Sequence, residues 1–166
     1  NKIIRCIGNA NERIDEDALR ILRALRFAGR LSFTIEENTA IAIHKQKDLL
    51  HYISEERIHS EWIGILETNA LSSILTEYSD VIQVFIPELK ENIIQESISS
   101  INQSPLSANI RTAILLKEIP NVKEILERLK YSGAEQTVIL SCIQNSMQTL
   151  SSKIELKRFL STLKIP

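Results

Sequence analysis

Apolar side chains recur at helical spacing along almost the whole chain from Glu12 onward, and the entire sequence holds only four glycines and four prolines. At ~100° per residue, Ile14, Ala18, Ile21, Leu22, Leu25 and Ala28 share one half of a helical wheel. Asp17, Arg13, Arg20, Glu16, Arg23, Arg30 and Arg26 fill the other half. This predicts an amphipathic helix that opens at Asp15, its expected N-cap, and buries one side. Leu19 and Phe27 break the split by landing among the charges, so that side is expected to meet something other than bulk water, with Phe27 against a partner domain or a ligand.

The same periodicity predicts a second helix over residues 36–49 and a third from Ser54, with Ile58, Trp62, Ile65 and Leu66 on one side and Trp62 in the core. Further helices are expected near residues 72–85, 87–99, 105–118, 122–130, 135–150 and 154–163. Pro87, Pro105 and Pro120 fall near helix starts, where a missing N–H costs little. The Ser, Asn and Gln content of residues 95–109 marks the best linker candidate, and residues 31–34 read as a short extended connection. Residues 2–7, KIIRCI, read as a strand without a sheet. The expected fold class is all-α, a multi-helix arrangement with a short N-terminal strand.

Composition narrows the field. With 166 residues, 43% hydrophobic and 25% charged, the chain suits a soluble globular protein of one or two domains. A net charge of −1 supplies no general attraction for nucleic acid, so RNA contact must come from local patches. Six of the ten arginines lie within the first 30 residues, which points to the N-terminal end. Cys6 and Cys142 have no ligand-like spacing, so no disulfide framework or zinc site is expected and a reducing, cytoplasmic setting fits. No signal peptide and no apolar run near the ~20 residues of a membrane span is present. The opening at Asn1 leads us to expect a fragment of a longer protein.

The charged side of the first helix carries the most specific chemistry. Residues 8–33 hold five arginines and no lysine. An ordinary solvated face mixes the two, whereas arginine alone suits phosphates and base edges, which its planar five-donor fork matches. Asp17 and Arg20, three apart, are expected to project side by side, a carboxylate that only accepts beside a guanidinium that only donates. Cytosine and adenine each present an amino donor beside a ring-nitrogen acceptor and pair with such a fork. Uracil and guanine present a carbonyl beside a ring N–H and leave groups unpaired against it. Acids early in a helix and bases later are also what the helix dipole favours, so an intrahelical ion pair of Glu16 or Asp17 with Arg20 is the alternative that pattern alone leaves open.

Other candidates are weaker. His44, His51 and His59 lack the i, i+4 spacing of a helical zinc site, and no metal site is expected. Arg57 and Glu61 stand at i, i+4 and predict an ion pair with a structural role. Lys130, Lys157 and Arg158 read as solvated surface, with contact to RNA phosphates the alternative.

The run GNANERIDEDALRILRALRFAGRLSFTIEENTAIAI from Gly8, followed by ISEERIHSE from Ile53, resembles the bacterial class II tRNA nucleotidyltransferase and poly(A) polymerase family. The first run is similar to that family's neck with its nucleotide-reading EDxxR motif, here Glu16, Asp17 and Arg20. The second is similar to its ISxERIxxE motif, here including Arg57 and Glu61, a segment that braces the reading helix. The resemblance implies that residues 1–8 end a nucleotidyltransferase head domain, that residues 9–70 form the neck and that residues 71–166 form a helical body. It implies that Glu16, Asp17, Arg20 and Arg23 bind nucleotide, with Glu16 orienting Arg20 and Arg23 reaching triphosphate or primer. No catalytic residue is expected here, since the carboxylates that hold Mg2+ for CTP and ATP would belong to the head. The implied partners are the tRNA 3' end, CTP and ATP, and the implied activity is CCA addition, with poly(A) synthesis or partial CCA addition as alternatives. IRTAILLKEI, residues 110–119, lies where some members carry an HD phosphohydrolase motif. Lys117 and Glu118 stand there instead, so no phosphohydrolase activity is expected. A reading from another class is a helical RNA- or protein-binding module with no enzymatic parent.

Overall fold

The computed structural model describes residues 2–146. In chain order they form β1 (Ile3–Ile4), α1 (Ala10–Glu16), α2 (Arg20–Leu31), β2 (Thr34–Ile35), α3 (Glu37–Gln46), a 3-10 helix (Lys47–Tyr52) and α4 (Glu55–Leu66). There follow α5 (Leu71–Glu77), α6 (Ser79–Phe85), α7 (Glu91–Gln103), α8 (Ala108–Leu116), α9 (Val122–Arg128) and α10 (Gly133–Ser146). The fold is mostly helical, as the periodicity predicts. The helix expected at 154–163, with Lys157 and Arg158, lies outside the described residues.

The opening strand is short but not without a partner. β1 pairs in parallel with β2, Ile3 opposite Thr34 and Ile4 opposite Ile35. A parallel pair needs a long crossover, and α1 with α2 supplies it. This lays the arginine-rich segment across the pair, where α2 touches both strands.

The first predicted helix is in fact two. Asn9 caps α1, its Oδ1 accepting from the Asn11 N–H at 3.0 Å, so the start lies six residues before the expected Asp15 cap. At Asp17 the backbone turns extended (φ −156°, ψ 98°), and the Asp17 carboxylate accepts the Leu19 N–H at 3.2 Å. A short acidic side chain that bonds its own downstream backbone competes with the helix ladder, and here it wins. The break turns Leu19 inward to 3% exposure, which explains why it falls among the charges on a continuous wheel. Phe27 stays 43% exposed with the Arg26 guanidinium 4.5 Å above its ring.

Below the arginines, α2 buries Ile21, Leu22 and Leu25 and packs on α4, whose buried face holds Ile58, Trp62, Ile65 and Leu66. Trp62 is 1% exposed and meets Phe85 edge-on, with ring centroids 5.5 Å apart. Gly29 brings α2 close to its neighbours: a Cβ there would lie 2.7 Å from both Ile74 Cδ1 and Thr68 Oγ1. Residues 72–85, expected as one helix, divide at Tyr78 into α5 and α6. The expected linker is mostly helix, since α7 continues to Gln103 and only residues 104–107 connect it to α8. α7 turns Ile94, Ser97 and Ile101 inward, so a polar composition conceals an apolar stripe.

Candidate nucleotide-reading surface

The outward side of α2 and the end of α1 carry arginines whose positions are fixed by carboxylates from two elements. Arg13 on α1 places Nη1 2.8 and 2.9 Å from the two oxygens of Glu16. This holds the Arg13 pKa above its ordinary value. Arg20 Nη2 lies 3.9 Å from Glu16 Oε2, close enough for attraction and too far for a hydrogen bond. Arg23 Nε donates to Glu61 Oε1 at 3.2 Å and Arg26 Nε to Glu61 Oε2 at 2.6 Å. Glu61 is buried and Arg23 half exposed, so α4 serves as the brace and α2 as the presented face. Gly64 makes room for this: a Cβ there would lie 2.3 Å from Arg26 Cδ.

The α4 pair therefore differs from the spacing-based expectation. Arg57 and Glu61 do not pair with each other; each crosses to the arginine-rich segment. Arg57 Nη2 donates to Asp17 Oδ1 at 3.2 Å and Oδ2 at 3.3 Å. Charges from two packed elements find geometry that an i, i+4 pair on one exposed helix cannot offer.

Asp17 and Arg20 are likewise not on one helix. Asp17 sits in the turn and Arg20 opens α2, with the Arg20 N–H donating to the Asp17 carbonyl at 3.0 Å. The two residues thus stay within one reverse turn of each other. The Asp17 carboxylate offers about four lone-pair sites. Leu19 and Arg57 take two on Oδ1 and Arg57 one on Oδ2, which leaves one on Oδ2. The Arg20 guanidinium makes no hydrogen bond to protein among the described residues, so its donors are unspent.

Beside this turn runs an open groove of about 440 Å³ lined by Ile4, Arg5, Cys6, Ile7, Arg13, Arg20, Arg23, Ala24, Phe27 and Thr39. Four guanidinium groups and one exposed aromatic ring around a groove suit an anionic, planar ligand. Glu16, Asp17 and Glu61 are each engaged by arginine. That donor set does not fit Mg2+, which needs carboxylate oxygens that no cation already holds. Among the described residues no group of three or more His, Cys, Asp or Glu gathers to hold a metal.

The remaining candidates lie elsewhere. His44 Nδ1 is 3.0 Å from Asp80 Oδ1 and its ring stacks on Tyr78, while His59 meets Tyr131 edge-on. Lys117 and Glu118 stand 4.0 Å apart at the surface beyond α8, and Lys130 lies 3.7 Å from Glu56. One feature escaped the sequence. Arg111 is 4% exposed and donates at 2.6 Å to both the Leu66 and Thr68 carbonyls, at the end of α4, and at 3.1 Å to Ser104 Oγ. Its burial pulls the Arg111 pKa down. An arginine surrounded by Ile110, Thr112 and Ala113 was the available signal, since a charge inside an apolar run has to be satisfied by something.

Residues 32–93 match a family described as the probable RNA and SrmB-binding site of polymerase A. A CCA-adding enzyme of Ligilactobacillus salivarius is 46% identical over 80 residues, which cover 48% of this chain and 20% of the relative. A CCA-adding enzyme of Staphylococcus haemolyticus is 35% identical over 163 residues, covering 95% of this chain and 39% of the relative. The chain thus spans well under half the length of these relatives. A solved complex of a CCA-adding enzyme with CTP shares the fold, with a TM-score of 0.64 at 19% identity over 88% of this chain and 38% of that one. Residues 32–93 thus match the RNA-binding segment of that polymerase family, and the chain is similar in sequence to CCA-adding enzymes and shares their fold.

Proposed function

We propose that this chain is the nucleotide-selecting and RNA-binding portion of a tRNA nucleotidyltransferase that adds C and A to tRNA 3' ends. Residues 9–70 form the neck that selects the base, and residues 71–166 form a supporting body. The full-length protein works in the cytoplasm, a reducing setting that the free thiols of Cys6 and Cys142 fit. The observation that carries the reading is that one reverse turn, closed by the Arg20 N–H on the Asp17 carbonyl, holds a carboxylate with one unfilled lone pair and a guanidinium with no hydrogen bond among the described residues. The Asp17 carboxylate accepts the amino group of cytosine or adenine, and Arg20 donates to the neighbouring ring nitrogen. Against uracil or guanine, acceptor meets acceptor and donor meets donor. Glu16 steers Arg20, and Arg23, fixed by Glu61 at the groove, meets triphosphate or primer phosphate.

Nucleotidyl transfer also needs carboxylate-held divalent ions to activate the 3' hydroxyl and stabilise the leaving pyrophosphate. The residues of this surface supply positioning only: base selection and phosphate contact. We therefore expect no nucleotide incorporation from this chain alone. The family description naming polymerase A favours a second reading, poly(A) synthesis, in which the same fork accepts ATP.

The test is incorporation by the full-length protein on tRNA lacking its CCA end. Asp17→Ala is expected to lower selectivity for CTP and ATP over UTP and GTP by about tenfold or more. Loss of the turn cap and the Arg57 contact costs about 1–2 kcal/mol of stability. Wild-type selectivity in a folded Asp17→Ala protein would remove the base-reading role. Addition of ATP alone to all primers would move the assignment to poly(A) synthesis.

A further inference from the structure

We infer that Arg13 is a positioning residue for base selection, acting through Glu16 on Arg20; the inference rests on the base-reading role proposed for Arg20. Arg13 is held at both ends. Its Nε donates to the Ile7 carbonyl at 3.2 Å, and its Nη1 binds both Glu16 oxygens at 2.8 and 2.9 Å. The Ile7 carbonyl is presented by a turn at Gly8, whose φ of +83° side-chain-bearing residues rarely adopt. A chain of contacts therefore runs from the segment after β1 through Arg13 to Glu16.

What this chain does to Arg20 follows from the distances. With Glu16 held by Arg13, its nearer oxygen stands 3.9 Å from Arg20 Nη2. The carboxylate biases the direction of the guanidinium by charge and consumes none of its donors. Without Arg13, no other side chain among the described residues restrains Glu16 from closing that gap. A direct Glu16–Arg20 fork would occupy two of the five N–H groups that Arg20 needs for the base. Arg13 keeps Glu16 close enough to steer and too far to compete. Its Nε and Nη1 are already committed to the Ile7 carbonyl and to Glu16, so its effect on Arg20 runs through Glu16.

That dependence supplies the experiment. In the full-length protein, Arg13→Met is expected to lower selectivity for CTP over UTP by about fivefold to tenfold, the scale of one lost hydrogen bond, and to raise KM for CTP more than it lowers kcat. Arg13→Lys, which keeps the charge but reaches a single Glu16 oxygen, gives an intermediate loss and covers the case in which Arg13→Met folds poorly. Adding Arg13→Met to Glu16→Gln leaves selectivity where Glu16→Gln alone puts it. Unchanged selectivity in both Arg13 variants, or an equal further loss in the Glu16→Gln background, would overturn the inference. Arg20→Ala separates this from failure of the base-reading role: if that variant keeps wild-type selectivity, the role itself falls and the inference with it.

Discussion

In the proposed reading Asp17 serves two purposes, and their separation is testable at a single atom. Its Oδ1 caps the turn into α2, while its Oδ2 accepts from Arg57 and keeps one lone pair unfilled. Asparagine at this position retains an acceptor for the Leu19 N–H and replaces the second oxygen by an amide donor. Asp17→Asn should therefore keep the turn-cap share of the stability that Asp17→Ala loses and give up the Arg57 ion pair, while incorporation of UTP relative to CTP rises in a primer-extension assay. The identities of the charged residues in this segment were legible in the sequence because arginine without lysine is a chemical choice. Their pairings were not. Arg57 with Asp17 spans 40 residues and Arg23 with Glu61 spans 38, and spacing within one helix carries no information on which elements pack together.

At the scale of elements, periodicity located the helices but not their interruptions. Asp17 and Tyr78 each divide what the apolar pattern reads as one helix, because a turn of one to three residues hardly disturbs the spacing of buried positions on either side. Gly29 is the contact that sets the approach of α2 to α5. Gly29→Ala gains about 1 kcal/mol in helix propensity. The added Cβ must displace Thr68, whose hydroxyl is fixed on the Ile65 carbonyl at 2.8 Å, and the buried Ile74. Overpacking of this kind costs about 1–3 kcal/mol, so a net loss in urea-unfolding stability is expected, and a stabilised variant would contradict the close approach.

α6 is joined to α3 and the 3-10 helix through Asp80, which lies 3.0 Å from His44 Nδ1 and 2.8 Å from Lys47 Nζ. Partial burial raises the Asp80 pKa, and the hydrogen bonds from Lys47 and His44 outweigh it, leaving the pKa below its ordinary value. A depressed carboxylate contributes stability above the unfolded value of about 3.9 that is lost as pH falls through the folded one. Asp80→Asn should thus lower stability at neutral pH and flatten the acid limb below about pH 4 in urea-unfolding midpoints measured across pH. An acid limb as steep as wild type would place the contribution elsewhere.

Across the whole molecule, one continuous cluster of buried side chains runs from Ala10 to Cys142. Arg111 binds the α4 end to α8, so the brace under the arginines is itself anchored in the C-terminal helices. The helical class and the apolar core were legible because a 3.6-residue period survives in almost every segment. The β1–β2 pair and the Arg111 anchor were not, since each depends on contacts between segments about 30 or more residues apart. In the proposed function, the turn between α1 and α2 is a protein surface that imitates a complementary base. A crystal structure of the full-length protein with CTP tests this most directly. The account predicts the cytosine amino group within hydrogen-bond distance of Asp17 Oδ2 and the ring nitrogen at the Arg20 guanidinium. A CTP bound with its base away from both, and Asp17 bonded only to Arg57 and Leu19, would contradict it.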